Sequence, residues 1–470
     1  NTPFERDAAW KRRLEEGLPP SRSQGLADAV TMPLSNIRKF IVRPTSSVLP
    51  FAAREIDPMT AGRELGVEFV IDGIIRRVGE QIRVTAQLLD VRENATRWSA
   101  SFSEKVKDVL ELEDSISEQV TRNLLPKLTG NDEFQIAKRG TNDPEAHDAY
   151  LQGRFFWNQF TPDSFPKSCS SFLRAIDLDP NYALAYVGIG DYYTWAGIYG
   201  LLRPQESHPR AFEAAQKALE LDPTLAEAHA LMGLYYSNTQ RFGEAEASYR
   251  MSIDLNPNYP LAHEWLSSVL IGTGRFAEGI KELTLAEELN PMSLRPKVLS
   301  AWTIYQTRDF ENAAKKGYEL LQLNPEFMQS HLQLSNILLE MGKYEEALEH
   351  AKKAVEMEPH SPLPFYSYCF ALARIGDEEI AEKIINEWET IAQTAYVPPY
   401  FLGMAYLSIG KADRGFEYLD LACKELSAWA IWFGTEPKLD PFRSDPRYLA
   451  LVKATNNPIV QLFDENNRIP

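Results

Sequence analysis

The chain has 470 residues, of which 44% are apolar and 24% charged, which excludes a single small core and indicates several domains or an extended repeat array. Its net charge of -17 arises after residue 140, because residues 1–140 carry 21 basic and 21 acidic side chains. An acidic surface repels phosphate backbones, so direct nucleic-acid binding by this region is not expected.

The first 24 residues predict a linker or tail. They lack the apolar stretch of a signal peptide, and the chain contains no run of about 18 apolar residues that could cross a bilayer. The sequence begins with Asn1 instead of methionine, which suggests processing or truncation. Membrane attachment would therefore need an anchor upstream of this sequence.

Residues 25–140 predict a small α/β domain. The stretch "QIRVTAQLLD" alternates apolar and polar residues, as a half-buried strand does. Gly79-Glu80 suits a two-residue hairpin turn before it, and residues 96–105 continue as a third strand. Helices are expected on both sides of these strands. Asp57-Pro58 suits the start of one of them, and Gly66 suits its end.

From residue 141 the sequence repeats with a period of 34 residues. A unit of this length holds two antiparallel helices and two turns, which is the unit of a tetratricopeptide (TPR) solenoid. In one unit Gly233 and Ala245 allow the two helices to approach, and the larger Tyr236 and Tyr249 fill the space beside them. A proline then ends the second helix. The prolines that fall in register are Pro223, Pro257, Pro291, Pro325 and Pro359.

Eight units are predicted over residues 141–425. The second contains a nine-residue insertion, since Pro180 and Pro223 are 43 residues apart, and the last two lack the closing proline. Residues 426–470 are expected to cap the apolar end of the array, with Trp429, Trp432 and Phe433 as the covering side chains. The predicted fold class is α+β, a small α/β domain followed by an all-α TPR superhelical solenoid.

The stretches "GLADAVTMPLSNI", "FIVRPTSSV", "AGRELGVEFVIDGIIRRVGEQIRVTAQLLDV" and "DVLELEDSISEQV" resemble the TolB amino-terminal-like domain. That domain is joined to TPR arrays in bacterial membrane-tethered, ToxR-like winged-helix transcriptional regulators, and it occurs in some receptor kinases and adenylate cyclases. The resemblance extends to about Tyr448, and it implies a sensory, partner-binding region. It also implies a periplasmic location, with a cytoplasmic one as the alternative. The initial strand of such domains, spelled like I-A-V-L-P-F, has no match here, and neither do the output domains.

In TPR arrays the first helix of each unit lines a concave groove, with positions 2, 5, 9 and 12 facing inward. Applied to the last four units, this register predicts an aromatic wall. Aromatic side chains offer contact area at a low entropy cost. The alternative is that a capping segment folds inward, which would make the same side chains part of the core. The predicted partner-binding residues are Arg295, Trp302, Tyr305, Gln329, Asn336, Tyr366, Phe370 and Tyr400.

The sequence contains no motif typical of phosphate-binding loops, zinc proteases or serine hydrolases. Three cysteines make neither a disulfide framework nor a zinc site. His229, His263 and His331 share one repeat position with Lys297, which favours packing at a helix interface over metal ligation. No catalytic residue, cofactor or metal site is therefore predicted.

The sequence favours a non-enzymatic protein-protein interaction module, the sensory or partner-binding part of a bacterial membrane-tethered regulator. Its expected partner is a peptide or protein bound in the TPR groove. Two alternatives stay open, namely a scaffold subunit of a larger complex and the non-catalytic region of a kinase or cyclase.

Overall fold

The computed structural model describes residues 27, 31, 34–35, 41–52, 56–78, 81–105, 109–124, 140–159 and 164–463. The predicted tail over residues 1–24 and the Gly79-Glu80 turn lie outside the described residues. So does most of the helix predicted over residues 25–37.

Three antiparallel strands form a small sheet in the order β1-β2-β3. They are β1 (Phe69–Val78), β2 (Gln81–Asp90) and β3 (Ala95–Lys105). The predicted alternation in β2 is confirmed, because Ile82, Val84, Ala86 and Leu88 are buried. The first three of these residues pack against the apolar side of α3 (Val109–Leu124).

Two short helices precede the sheet, α1 (Thr45–Ala52) and α2 (Pro58–Glu64). The predicted start of α2 is confirmed, since the Asp57 carboxylate accepts a 3.1 Å hydrogen bond from the Thr60 amide. After the helix, Gly66 adopts a φ of 63°, a left-handed conformation that glycine reaches without strain.

Eight helical hairpins stack from Pro144 to Lys424 in the described part of the chain. The hairpins are α4 (Pro144–Gln159) with α5 (Ser164–Leu178), α6 (Ala183–Ile198) with α7 (Pro204–Leu221), α8 (Ala226–Asn238) with α9 (Phe242–Leu255), α10 (Pro260–Gly272) with α11 (Phe276–Leu289), α12 (Leu294–Gln306) with α13 (Phe310–Leu323), α14 (Met328–Glu340) with α15 (Tyr344–Met357), α16 (Pro362–Ile375) with α17 (Glu378–Ala392), and α18 (Pro399–Ser408) with α19 (Ala412–Lys424).

The small residues of the repeat are required where its helices meet. A Cβ atom on Gly233 would come within 2.5 Å of the Tyr249 ring, and one on Gly188 within 2.6 Å of the Phe172 ring. Distances this short are not tolerated between real side chains. Glycine at these positions therefore lets a large aromatic ring lie directly on the backbone of the neighbouring helix.

A recurrent hydrogen bond explains the aligned histidines. In five successive units the side chain six residues after the closing proline hydrogen-bonds the carbonyl oxygen of that proline, at 2.5–3.3 Å. Histidine, lysine and tyrosine all make this contact, so the position needs a donor of suitable length and not a metal ligand. The pairs are Pro180 with Tyr186, Pro223 with His229, Pro257 with His263, Pro291 with Lys297, and Pro325 with His331.

The turn between the two helices of a unit contains a left-handed residue every 34 positions. Four of these residues are Gly274, Gly342, Gly376 and Gly410, for which positive φ costs nothing. Gln240 and Arg308 occupy the same position with φ of 61° and 65°. A side chain at this position carries a backbone cost, so its contacts must compensate for it.

The amino-terminal domain contacts the solenoid at the turns that close the repeats. The Ser47 hydroxyl donates a 2.7 Å hydrogen bond to the Asn290 side chain, which in turn donates to Ser46. One repeat earlier, the Asn258 amide donates to the Ser35 carbonyl oxygen at 2.9 Å. The asparagines of successive Asn-Pro turns thus hold the domain against the solenoid.

After the last hairpin the chain turns back into the solenoid. We call Ala428–Leu462 the capping segment. It consists of two 3-10 helices (Ala428–Gly434 and Pro437–Phe442), α20 (Pro446–Ala454) and a final 3-10 turn (Pro458–Leu462). Most of its buried apolar side chains share one hydrophobic core with the helices of the last repeats, whereas Ile431 and Trp432 pack in the core of the repeats before them.

Candidate functional site

The concave wall of the last four repeats is mostly buried. Of the eight residues predicted to face a partner, only Arg295 and Gln329 are half-buried; each of the other six is at most 8% exposed. The buried six are Trp302, Tyr305, Asn336, Tyr366, Phe370 and Tyr400.

Aromatic rings of the capping segment cover this wall. Trp432 meets Trp302 edge to face, with ring centroids 6.1 Å apart. Tyr400 stacks against both Trp429 and Phe433, at centroid distances of 6.0 and 5.8 Å. These spacings lie in the range where aromatic pairs attract each other beyond their buried area.

A polar cluster is buried within the same contact. The Tyr305 hydroxyl donates a 2.9 Å hydrogen bond to Glu436 and accepts one of 3.1 Å from the Lys438 ammonium. The ammonium also lies 5.5 Å from the centroid of the Phe370 ring. Burial lowers the pKa of Lys438, while the charges of Glu436 and Glu340 oppose that shift. Burial raises the pKa of Tyr305 well above 10, and the Glu436 charge adds to the shift.

Arg308 ties the turn of the fifth hairpin to the capping segment. Its guanidinium contacts both Asp440 oxygens, at 3.1 and 2.6 Å, and donates to the Thr435 carbonyl at 2.8 Å. This fork geometry is favourable for arginine with a carboxylate. The sequence indicates that this position is unusual, because Arg308 stands where four other repeats have glycine. It does not indicate which carboxylate the arginine binds.

The aromatic wall therefore contacts this chain's own capping segment, where a partner was expected. The physical reason is that the end of a repeat array exposes an apolar face, which must be covered. Asn336 also differs from expectation. Instead of facing a peptide backbone, its side-chain oxygen accepts a 2.8 Å hydrogen bond from Ser367 on the next repeat.

Charged side chains lie on the first helices of the second, fourth and fifth hairpins. The Arg295 guanidinium lies 4.9 Å from the Trp195 ring centroid and 3.3 Å from the buried Glu264 carboxylate. Burial raises the pKa of Asp191 to about 7, against the opposing charges of Arg154 and Arg295. Burial likewise raises the pKa of Glu264, with Arg295 opposing the shift. Arg295 thus lies at the edge of a buried acidic section, with its side chain 39% exposed.

A cavity of about 340 Å³ opens beside helices α17, α18 and α19. Arg203 lies 3.9 Å from Glu425 there, and Arg414 lies 2.9 Å from Glu389. The Tyr396 hydroxyl donates to Glu425 at 3.0 Å. Each guanidinium in the lining therefore faces a carboxylate of the same chain, so the lining does not select a charged ligand.

Within the described residues, no three histidine, cysteine, aspartate or glutamate side chains come together to hold a metal ion. No helix in the described ranges is both long and apolar enough to cross a membrane.

Two protein-family models match the chain, both described as tetratricopeptide repeat. They match residues 226–259 and 329–361, which correspond to the third and sixth hairpins. The chain contains tetratricopeptide repeats. Such repeats indicate a protein-protein interaction or scaffold module without catalytic function. Neither match reaches the α/β domain, whose resemblance to the TolB family stays a prediction.

Three known proteins indicate the range of similarity. The putative adenylate cyclase 3 of Rhizobium meliloti (strain 1021) is 26% identical over 167 residues, 36% of this chain and 28% of that protein. A chain of the APC/C Cut9–Hcn1 hetero-tetramer aligns with a TM-score of 0.47 at 12% identity, covering 74% of this chain and 59% of its own. Yeast Tom70 aligns with a TM-score of 0.43 at 18% identity, covering 73% and 77%.

Proposed function

We propose that this chain is the non-catalytic, partner-binding region of a larger bacterial signalling protein, and that a peptide or protein binds the concave face beside Arg295 and Gln329. The observation that supports the proposal is the partial exposure of these two side chains, since the other six residues of the predicted wall are buried. The Trp195 ring and the Glu264 carboxylate hold this guanidinium in place. Arginine has five N–H donors, so it can also bind peptide carbonyl oxygens in a planar fork.

Displacing the capping segment is the less favourable route to binding. It would expose Trp432, Phe433 and Leu439, whose burial contributes roughly 2–3 kcal/mol for each side chain. A partner would first have to supply that free energy before gaining any affinity. The covered aromatic residues therefore act in this proposal by holding the capping segment, and the partner contacts are made by Arg295 and Gln329.

Selection of binding peptides from a random phage-displayed library tests the proposal. Peptides selected on the wild-type chain should bind R295E at least tenfold more weakly by fluorescence anisotropy. R250E is the matched control, because the Arg250 side chain is 45% exposed and also pairs with a glutamate, but lies on helix α9 of the third hairpin. Equal binding to R295E and the wild type, or failure to select any peptide, would contradict the proposal.

A more specific candidate is the non-catalytic region of a cyclase. It is favoured by the 167-residue match to a protein named as a putative adenylate cyclase, of which this chain spans only 28%. Sequencing the natural gene upstream and downstream of the segment that encodes this chain tests the candidate. A nucleotide cyclase domain in the same frame would support this candidate, whereas a winged-helix module and a membrane anchor would support a transcriptional regulator.

The proposed location is the periplasm, as the resemblance to membrane-tethered regulators implies. Reporter fusions decide between this and the cytoplasm. In the natural full-length protein, alkaline phosphatase fused directly after Pro470 of this chain should be enzymatically active. Green fluorescent protein fused at the same position should be non-fluorescent. The reverse result would place the chain in the cytoplasm.

A further inference from the structure

Strand β1 carries exposed apolar side chains, and its outer edge is unpaired within the described residues. β1 pairs with β2 along its whole length, and no strand in the described ranges pairs with its other side. Three large apolar residues of this strand are accessible, with Phe69 39%, Ile71 40% and Ile74 57% exposed. Strand β1 contains no proline or lysine, and its pairing with β2 shows no bulge. An edge with these properties is a template for pairing with another strand.

The opposite edge of the sheet has a different character. Strand β3 has a register shift where it faces Leu88 and Leu89, which disturbs regular pairing. It also ends in Lys105, and half of its exposed side chains are serine or threonine. The two edges of the sheet therefore differ in their protection against pairing with another strand.

We propose that a second copy of this chain pairs with β1 through this edge, antiparallel, with the two-fold axis passing at Ile74. The two three-stranded sheets would then form one continuous six-stranded sheet. A two-fold interface of this kind brings the same surface of both copies together, and main-chain hydrogen bonds between the edges supply affinity.

Charge complementarity selects this register. With the axis at Ile74, Asp72 of each copy lies directly opposite Arg76 of the other, and Ile74 faces its own equivalent. Opposite charges across a strand pair stabilise it, and like charges destabilise it. Moving the axis by one residue to Gly73 would place Asp72 opposite Ile74. Moving it by one residue to Ile75 would place Arg76 opposite Ile74, so neither alternative pairs opposite charges. The sequence of β1 is therefore self-complementary in one arrangement.

A charge-swap series tests the proposal by sedimentation velocity on the full chain. The wild type should sediment as a dimer at micromolar concentration. D72R and R76D should each weaken the dimer at least tenfold, because each places like charges opposite one another at both ends of the interface. The double variant D72R/R76D should restore dimerisation, since the opposite charges have only exchanged strands.

R122E is the matched control. The Arg122 side chain is 65% exposed on helix α3, which packs against β2 and β3, so its reversal should leave the dimer unchanged. The Gln87 side chain donates a 2.7 Å hydrogen bond to Asp72, and that bond is lost in D72R and in the double variant alike. Rescue therefore cannot come from the fold of one sheet. A monomeric wild type, or a double variant as monomeric as D72R, would overturn the proposal.

Discussion

The Lys438 ammonium lies 3.1 Å from the Tyr305 hydroxyl, which joins the capping segment to the fifth repeat inside the solenoid. The same hydroxyl donates a hydrogen bond to Glu436. One tyrosine therefore hydrogen-bonds both a positive and a negative side chain of the capping segment. A partner peptide in an open groove would make contacts of this kind. Here the chain makes them with itself.

Removing the Lys438 charge should destabilise the fold. We expect K438M to lower the free energy of unfolding by about 1–3 kcal/mol, because the buried Glu436 carboxylate then lacks an opposing charge. The double variant K438M/E436Q should recover most of that loss, since neither charge remains buried. Urea denaturation measures both values. A double variant that is less stable than K438M would show that the two charges do not oppose each other.

The Trp302 side chain is expected to contribute to folding. W302A removes a buried indole that contacts Trp432 and should lower the free energy of unfolding by about 3–5 kcal/mol. L323A is the control, since Leu323 is 62% exposed and its removal should cost under about 0.5 kcal/mol. Thermal and urea unfolding check the prediction. An unchanged melting temperature in W302A would favour a surface role for this residue.

Arg308 balances backbone cost against its contacts with Asp440. We expect stability to fall in the order wild type, R308G, R308A. Glycine relieves the positive φ while losing the salt bridge, whereas alanine loses the salt bridge and keeps the strain, which costs about 1 kcal/mol more. Q240G tests the backbone part alone and should be at least as stable as the wild type. If R308G exceeded the wild type in stability, the anchoring role would be wrong.

His208 should make the solenoid sensitive to acid. Burial lowers the pKa of its imidazole to about 4, from an ordinary value of 6.5. The unfolded chain therefore binds the proton more readily than the folded chain. The contribution of His208 to stability is fully present above pH 6.5 and is lost as the pH falls toward 4. The loss amounts to about 3 kcal/mol at most.

The variant H208Q tests this dependence. Its stability, measured by urea denaturation between pH 7 and pH 4, should decline less than that of the wild type. H229Q is the control, because His229 is not among the buried histidines and should leave the pH profile in place. Identical profiles for H208Q and the wild type would assign the acid sensitivity to other groups.

The residue six positions after each closing proline allows an exchange test. Lys297 donates to the Pro291 carbonyl where equivalent repeats use histidine. We expect K297H to keep the wild-type stability within about 0.5 kcal/mol, and K297L to lose about 1 kcal/mol through the missing hydrogen bond. Equal stability of K297H and K297L would mean that the recurrent contact contributes nothing.

The sequence predicts the repeats well because their period depends on local features, namely proline at the end of each unit and glycine where helices touch. The alternation in β2 likewise follows from the chain itself. The docking of Ser47 on Asn290 could not be predicted, because it joins residues 243 positions apart and has no periodic signature. The repeat register predicts that Trp302 and Tyr305 lie on the concave face. It does not predict whether a partner or the same chain covers them.

Hydrogen exchange of the capping segment tests the central claim most directly. If residues 428–442 belong to the core of the solenoid, their buried amides should exchange as slowly as those of helices α12 and α16, which they contact. The variant W302A should raise the exchange rate of the capping segment and of α12 together. Fast exchange of residues 428–442 beside a protected α12 would show that the segment leaves the groove open, and it would contradict the account.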